Sequence, residues 1–265
     1  MRTVRMQIAY DGSAYFGWQR QDGFLSVQEA IEDALLDLLG EVVTIYGSGR
    51  TDTGVHALRQ VAHCQLESGL DDDRLRHALN FRLGGMCVIG RLETCRADFH
   101  ARFDAVGKRY GYWVETARFR PPLGRTMFHW VRTPLELAPM RDAAARLVGE
   151  HDFKAFSNAG SVRPTTVRTI HSVRILARTE RVGFIVQGNG FLYNMVRTIA
   201  GTLLDVGRGR LKPQQVDLAL KSTVREDAGV TAPAEGLYLL RVLYDEPVFA
   251  GRDRGAGGVP GAFQY

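Results

Sequence analysis

The chain has 265 residues, 45% hydrophobic and 24% charged, enough for one large or two modest domains and too apolar for a disordered protein. Its apolar runs fall far short of the ~18 residues a membrane helix needs, and Met1-Arg-Thr-Val-Arg5 lacks the apolar core of a signal peptide, so neither a span nor export is expected. Three scattered cysteines, Cys64, Cys87 and Cys95, suit a reducing cytoplasm rather than a disulfide framework or a zinc site, and a net charge of +5 carried mostly by arginine points toward a polyanionic partner without naming one.

Val4, Met6, Ile8 and Tyr10 alternate with Arg5, Gln7 and Ala9, the pattern of a half-buried strand. Residues 11–25 form a loop rich in rings, where Tyr15, Phe16, Trp18 and Phe24 lie among Asp, Gly, Gln and Arg20. Such rings can stack on unpaired bases. For Phe16 and Trp18 the reading favoured is that they fold the loop onto the core. Ser26-Val-Gln-Glu29 makes a capping box, with Leu25 placed to staple the start of a helix that runs to Leu39 and stops at Gly40. Val42 to Tyr46 reads as a strand, Gln60 to Leu66 as another, Asp72 to Phe81 as a helix and Met86 to Leu92 as a strand. This β-α-β-β-α-β order is the ferredoxin-like split βαβ arrangement, whose open sheet face is a common RNA platform.

Asp98 to Phe103 is a short bridge in which His100 and Arg102 alternate with Phe99 and Phe103, turning charge and apolar rings opposite ways. The second half opens with Lys108 to Val114, a strand with Tyr110 and Tyr112 on one face. Phe128 to Val131 is a short strand, Glu136 to Leu147 a helix, and 154–166 a long loop whose Lys154 and Arg163 can meet phosphates. Two strands follow, Val167 to Leu176 and Arg181 to Gln187. Phe191 to Leu204 is the strongest helical stripe in the chain, and Arg197 lies off it, free to project toward a site. A short helix from Pro213 to Lys221 and a strand from Leu237 to Leu243 close the second half, and a glycine-rich segment, 251–261, is expected to be mobile. The fold class expected is therefore α+β: lobes over 1–104 and 105–245, and a tail over 246–265.

Chemistry concentrates between the second and third strands. Gly47, Gly49 and Gly54 frame Arg50 and Asp52, and such a cluster marks a backbone in unusual turns or pressed against a neighbour. On extended backbone Arg50 and Asp52 point the same way, so the arginine can hold the carboxylate ionised and aimed as a nucleophile. The same residues also suit a tight surface turn closed by a solvated ion pair. A phosphate loop would need Lys-Ser or Lys-Thr after the glycines, an aspartic protease a second Asp-Thr-Gly, and a zinc deaminase His-x-Glu with Pro-Cys-x-x-Cys; none is present.

Ser48-Gly-Arg-Thr-Asp-Thr-Gly-Val-His-Ala57 resembles the signature of the TruA family of tRNA pseudouridine synthases. Further segments follow in that family's order: Tyr10-Asp-Gly-Ser-Ala-Tyr-Phe-Gly-Trp-Gln-Arg-Gln21, Asp98-Phe-His-Ala-Arg-Phe103, Lys108-Arg-Tyr-Gly-Tyr112, Gly149-Glu-His-Asp-Phe153, Gly190-Phe-Leu-Tyr-Asn-Met-Val-Arg197 and Ala234-Glu-Gly-Leu-Tyr-Leu239. The likeness runs from about residue 4 to about 245. It implies the pseudouridine synthase fold, two split-βαβ lobes with antiparallel sheets side by side, and a cofactor-independent, metal-free isomerase acting on uridines 38, 39 and 40 of the tRNA anticodon arm. It also implies a homodimer in which each tRNA contacts both subunits. Asp52 becomes the candidate nucleophile, with Arg50 beside it, Tyr110 the residue that stacks on the target base and the suspected general base, Arg197 the arginine near the carboxylate, and Leu237 the apolar residue against the site. His56 is assigned to shaping the loop. Arg20, Arg59, Lys108, Arg109 and Arg163 are candidates for phosphate contacts. The competing reading is a non-catalytic RNA-binding or RNA-chaperone protein on the same lobes.

Overall fold

The computed structural model describes residues 1–158 and 164–250, which divide into two compact units, 1–106 with 238–250 and 107–237. Reading along the chain draws the boundary at 104/105 and leaves the closing strand with the second half. Backbone contacts instead put that strand, from Tyr238 on, in the first unit.

The first unit is built from β1 (Arg2–Tyr10), α1 (Val27–Leu39), β2 (Tyr46–Gly47), β3 (His56–Leu66), α2 (Asp72–Arg82), β4 (Cys87–Cys95) and the late strand β10 (Leu237–Tyr244). β4, β1 and β3 are antiparallel neighbours, β2 pairs antiparallel with the far half of β3 at Ala62 and His63, and β10 runs parallel to its start at His56 and Ala57. The order 4-1-3-2 is the split βαβ expected from the element order. Along β1, Val4, Met6 and Ile8 are fully buried, as are Ile31 and Leu35 of α1 and Leu75 and Leu79 of α2, but Thr3 and Gln7 on the other face are buried too, so the strand is covered on both sides rather than half-buried. Burial pushes the thiols of Cys64 and Cys87 in this core up to about 12, so both behave as apolar side chains. The opposite sheet face carries Thr3, Arg5, Gln7, Val61 and His63.

Local signals act as read at α1. Ser26 Oγ accepts from Glu29 N and the Glu29 carboxylate accepts from Ser26 N, while Gly40 ends the helix at φ +70°. They mislead at 42–46, where no ladder forms before Tyr46. Val42 is 92% exposed, and the amide of Ile45 donates to Glu32 Oε1 of α1 at 2.9 Å. A side chain has satisfied the backbone that a strand partner would have taken.

The second unit contains β5 (Ala105–Glu115), β6 (His129–Trp130), α3 (Leu137–Arg146), β7 (Gly149–Asp152), β8 (Val167–Arg178), β9 (Arg181–Gly188), α4 (Met195–Gly207) and α5 (Gln215–Ser222). Its sheet runs β5-β9-β8-β7, antiparallel throughout, with β6 parallel to the end of β5. Every residue of α4 except Arg197 is buried. The helix starts four residues later than its apolar stripe, because Asn194 sits at φ +59° and breaks the turn before Met195. The architecture is α+β, as the element order implies. Arg163 and the segment 251–261 lie outside the described residues.

Candidate active site

The loop between β2 and β3 is held by buried polar contacts reaching back to the N-terminal loop. Ser48 N donates to Val61 O at 2.8 Å and Ser48 Oγ to Gln60 Oε1 at 2.7 Å, while Gln60 Nε2 donates to Gly49 O at 2.9 Å. Gln60 is fully buried and Ser48 1% exposed, so these bonds are shielded from competing water. Thr51, also buried, meets the Tyr10 hydroxyl at 2.8 Å, and its carbonyl accepts from Trp18 N at 3.0 Å. Val55 N closes the turn by donating to Asp52 O at 3.1 Å.

Two glycines of the N-terminal loop let the loops approach. A Cβ on Gly12 would lie 2.1 Å from Val55 O, and one on Gly17, at φ +86°, would lie 2.7 Å from Thr51 O. Gly47 serves the same purpose from the other side, since its Cβ would strike the Trp18 ring at 2.5 Å. Thus Trp18 is a core anchor, as read from the sequence. Phe16 is not: it is 48% exposed and packs on Phe24, itself 50% exposed, with centroids 4.7 Å apart. The neighbouring Tyr15 is buried, and desolvation, with the Asp11 carboxylate nearby, raises its phenol to about 12.

His56 shapes this loop, as its place in the signature suggests. Its ring stacks on Tyr238 with centroids 4.5 Å apart, and Nδ1 lies 3.1 Å from both Gly12 N and Asp11 Oδ1. An unprotonated Nδ1 accepts from the Gly12 amide; a protonated one pairs with Asp11. On this scaffold Asp52 is half-buried and Arg50 exposed, two residues apart. A carboxylate presented by a rigid loop at partial exposure can reach a substrate while keeping its charge. Tyr10, Asp11, Gly17 and Gln60 hold the loop and drew no assignment in the sequence reading. Tyr10, Asp11 and Gly17 fall within the Tyr10–Gln21 motif, whereas Gln60 lies outside every motif of the chain named above.

Arg20 and Arg59 belong to the same unit. The guanidinium of Arg20 is spent on three carboxylates: Glu29 at 3.2 Å, Glu32 at 2.9 Å and Asp33 at 2.8 Å. The Asp33 bond leads in raising its pKa further. This arginine locks the N-terminal loop to α1. Arg59 lies on β3 beside the loop, half-buried.

In the second unit, Lys108, Arg109 and Tyr110 follow one another on β5. Tyr110 is 9% exposed, faces Val186 of β9 in register and meets the Phe191 ring edge-on at 5.1 Å. Arg109 donates from Nε and Nη2 to Gln187 Oε1 at 3.0 and 2.7 Å. Tyr112, two residues on, is fully buried and donates to Pro233 O at 2.9 Å, and burial raises its pKa well above that of an ordinary phenol. Arg197 is less free than its position off the stripe implies. Its Nε donates to Ala232 O at 2.7 Å and Nη1 to Asn194 Oδ1 at 2.9 Å, tying the start of α4 to the 228–232 segment. Leu237 is buried at the head of β10. Among the described residues no group of His, Cys, Asp and Glu is arranged to hold a metal ion.

The chain is similar to known proteins over most of its length. A family model described as tRNA pseudouridine synthase matches residues 6–104 and 143–245, leaving out the interval that carries Lys108, Arg109 and Tyr110. The tRNA pseudouridine synthase A of Acetivibrio thermocellus is 45% identical over 244 residues, covering 92% of this chain and 100% of that protein. The protein of the same name from Syntrophotalea carbinolica is 45% identical over 245 residues, covering 92% and 97%. A solved Cbf5–Nop10–Gar1 complex aligns with 91% of this chain and 50% of its own chain, at 13% identity and a TM-score of 0.38, a likeness too distant to bear on the site. With one family matched on both sides of the gap and relatives aligned along nearly their full length, the chain belongs to the TruA family of tRNA pseudouridine synthases.

Proposed function

We propose that this protein isomerises uridine to pseudouridine in tRNA, at positions 38, 39 and 40 of the anticodon arm, with Asp52 as the nucleophile. The observation that carries the reading is a half-buried carboxylate on a loop whose backbone is fixed by Gln60, Ser48, Thr51 and Tyr10. The reaction breaks the bond from ribose C1′ to uracil N1 and forms one from C1′ to C5. N1 gains a proton and C5 loses one, so no oxidant, reductant or cofactor is called for. Asp52 adds to C6 of the base or to C1′ of the ribose; either route needs an anionic oxygen and a base turned out of its stack. Tyr110 is the candidate to receive the C5 proton. A phenol with the usual pKa of ~10 is a weak base at neutral pH, so this proton transfer calls for a neighbouring cation that favours the ionised form. The working form is a homodimer in which each tRNA touches both subunits.

The test is Asp52→Asn. Asparagine keeps the shape and the acceptor oxygen, so the loop should close and tRNA should bind at least as tightly as to the wild type. Single-turnover conversion with excess protein should fall to background. Conversion at the wild-type rate would refute Asp52 as nucleophile. Loss of binding together with conversion would make the loop an ion-paired turn. Tight binding without conversion in the wild type would favour a non-catalytic RNA-binding protein.

A further inference from the structure

On the sheet face of the first unit opposite its helices, four rings form a continuous run leading from β2 to the 98–103 bridge. Tyr46 stacks on His63 with centroids 5.3 Å apart and planes 28° apart. His63 meets His100 at 4.6 Å, and His100 lies on Phe103 at 4.2 Å. The run is buried in its middle and open at both ends: His63 is 8% exposed, Tyr46 52% and Phe103 74%. This departs from the sequence reading, which turned Phe103 toward the core with Phe99; only Phe99 is there, at 3%.

The two imidazoles are fixed. His63 Nδ1 accepts from Ala101 N at 3.2 Å, and His100 Nδ1 accepts from Arg102 N and Phe103 N at 3.2 and 3.3 Å. Each ring nitrogen that accepts leaves the other, Nε2, to carry the proton, so His100 presents a donor beside the exposed rings. Arg102 adds a cation 5.6 Å from the Phe103 centroid. Arg102 has no carboxylate partner among the described residues, in contrast to Arg2, Arg5, Arg20, Arg82 and Arg96 of the same unit.

We infer that Tyr46, His100, Phe103 and Arg102 form a stacking subsite for an unpaired RNA base, with Phe103 as the outer platform and Arg102 on the adjoining phosphate. Planar rings in a stacked and tilted run, an N–H donor and an unneutralised guanidinium are what a base and its phosphate recognise. A protein partner would have to desolvate Arg102 against an apolar patch, which favours the nucleic acid. His63 lies seven residues along β3 from His56, at the edge of the signature loop, or about 23 Å of strand. Phe103, the outer platform, stands on the 98–103 bridge and not on the signature loop, so the base assigned to it is a second base of the same RNA and not the reacting uridine. This inference rests on the proposed action on tRNA.

The experiment compares full-length wild type with Phe103→Ala, Phe103→Leu and Phe103→Trp, using one tRNA transcript for filter binding and turnover. Phe103 is exposed enough that none of these should disturb folding. We expect Phe103→Ala and Phe103→Leu to weaken binding about five-fold or more, with the maximal rate at saturating tRNA unchanged. Phe103→Trp should bind within about two-fold of the wild type, and tRNA should quench the added indole. Affinity within two-fold of wild type for Phe103→Ala would overturn the subsite, and so would full recovery in Phe103→Leu, which keeps apolar area without a ring. A change in sedimentation of Phe103→Ala without RNA would make the patch a protein interface and also overturn it. Failure of Asp52→Asn to block conversion leaves this inference standing, whereas a wild type that does not bind tRNA removes both.

Discussion

At the scale of single residues, Tyr110 separates stacking from proton transfer. Its ring is held by Phe191 and by strand pairing, neither of which needs the hydroxyl. Tyr110→Phe should therefore bind tRNA within about two-fold of the wild type while its single-turnover rate falls about 10²- to 10⁴-fold, the usual worth of a positioned acid or base. A full rate in that variant would hand the C5 proton to another group. Arg197 behaves differently, because its guanidinium already donates to Ala232 O and Asn194 Oδ1. Arg20, caught among three carboxylates, shows how position in a motif and role can part: the sequence places it beside rings, and the fold pairs it with Glu29, Glu32 and Asp33 of α1.

At the scale of elements, α4 holds the second unit together. The 228–232 segment crosses it so closely that a Cβ on Gly201 would lie 1.7 Å from Val230 O, and Gly229 N donates to Thr202 Oγ1 at 2.9 Å. Arg225 fastens the segment through Asn158, Gly229 and Thr231. Since the obstacle is backbone rather than the tip of a flexible side chain, Gly201→Ala should destabilise the protein by about 1–3 kcal/mol despite alanine's better helix propensity. Urea unfolding followed by circular dichroism checks this, and an unchanged or raised midpoint would show that the segment yields freely. The apolar stripe of α4 was readable in advance because a buried helix repeats every three to four residues. Its start was not, because Asn194 in a left-handed turn carries no periodic signal.

At the scale of the whole molecule, a net charge of +5 and the proposed tRNA partner make binding an ion-release process. The logarithm of the binding constant should fall linearly with that of salt concentration, with a slope of about −0.7 to −0.9 for each phosphate contact. Arg20→Ala should leave that slope unchanged, since three carboxylates already neutralise the guanidinium. Binding measured between about 50 and 200 mM salt tests both statements. A slope of zero would remove the electrostatic account, and a shallower slope for Arg20→Ala would return Arg20 to the phosphates.

What the sequence alone determined is what short-range physics encodes. The capping box at Ser26 and Glu29, the stop at Gly40 and the inward-facing Val4, Met6 and Ile8 of β1 depend on residues a few positions apart, and they stand in the structure as read. The family was legible for the same reason, since its motifs are contiguous. Tertiary structure alone decided what happens between distant segments. It denied Val42–Ile45 a ladder by supplying Glu32 as the acceptor, and it drew β10 to β3 across most of the chain. It buried Trp18 against Gly47 while leaving Phe16 outside, and it turned Phe103 outward onto His100. Except at Phe103, whose ring partner His100 is three residues away, the deciding contact is a hydrogen bond or a steric limit set by a residue distant in sequence, and no local period reports it.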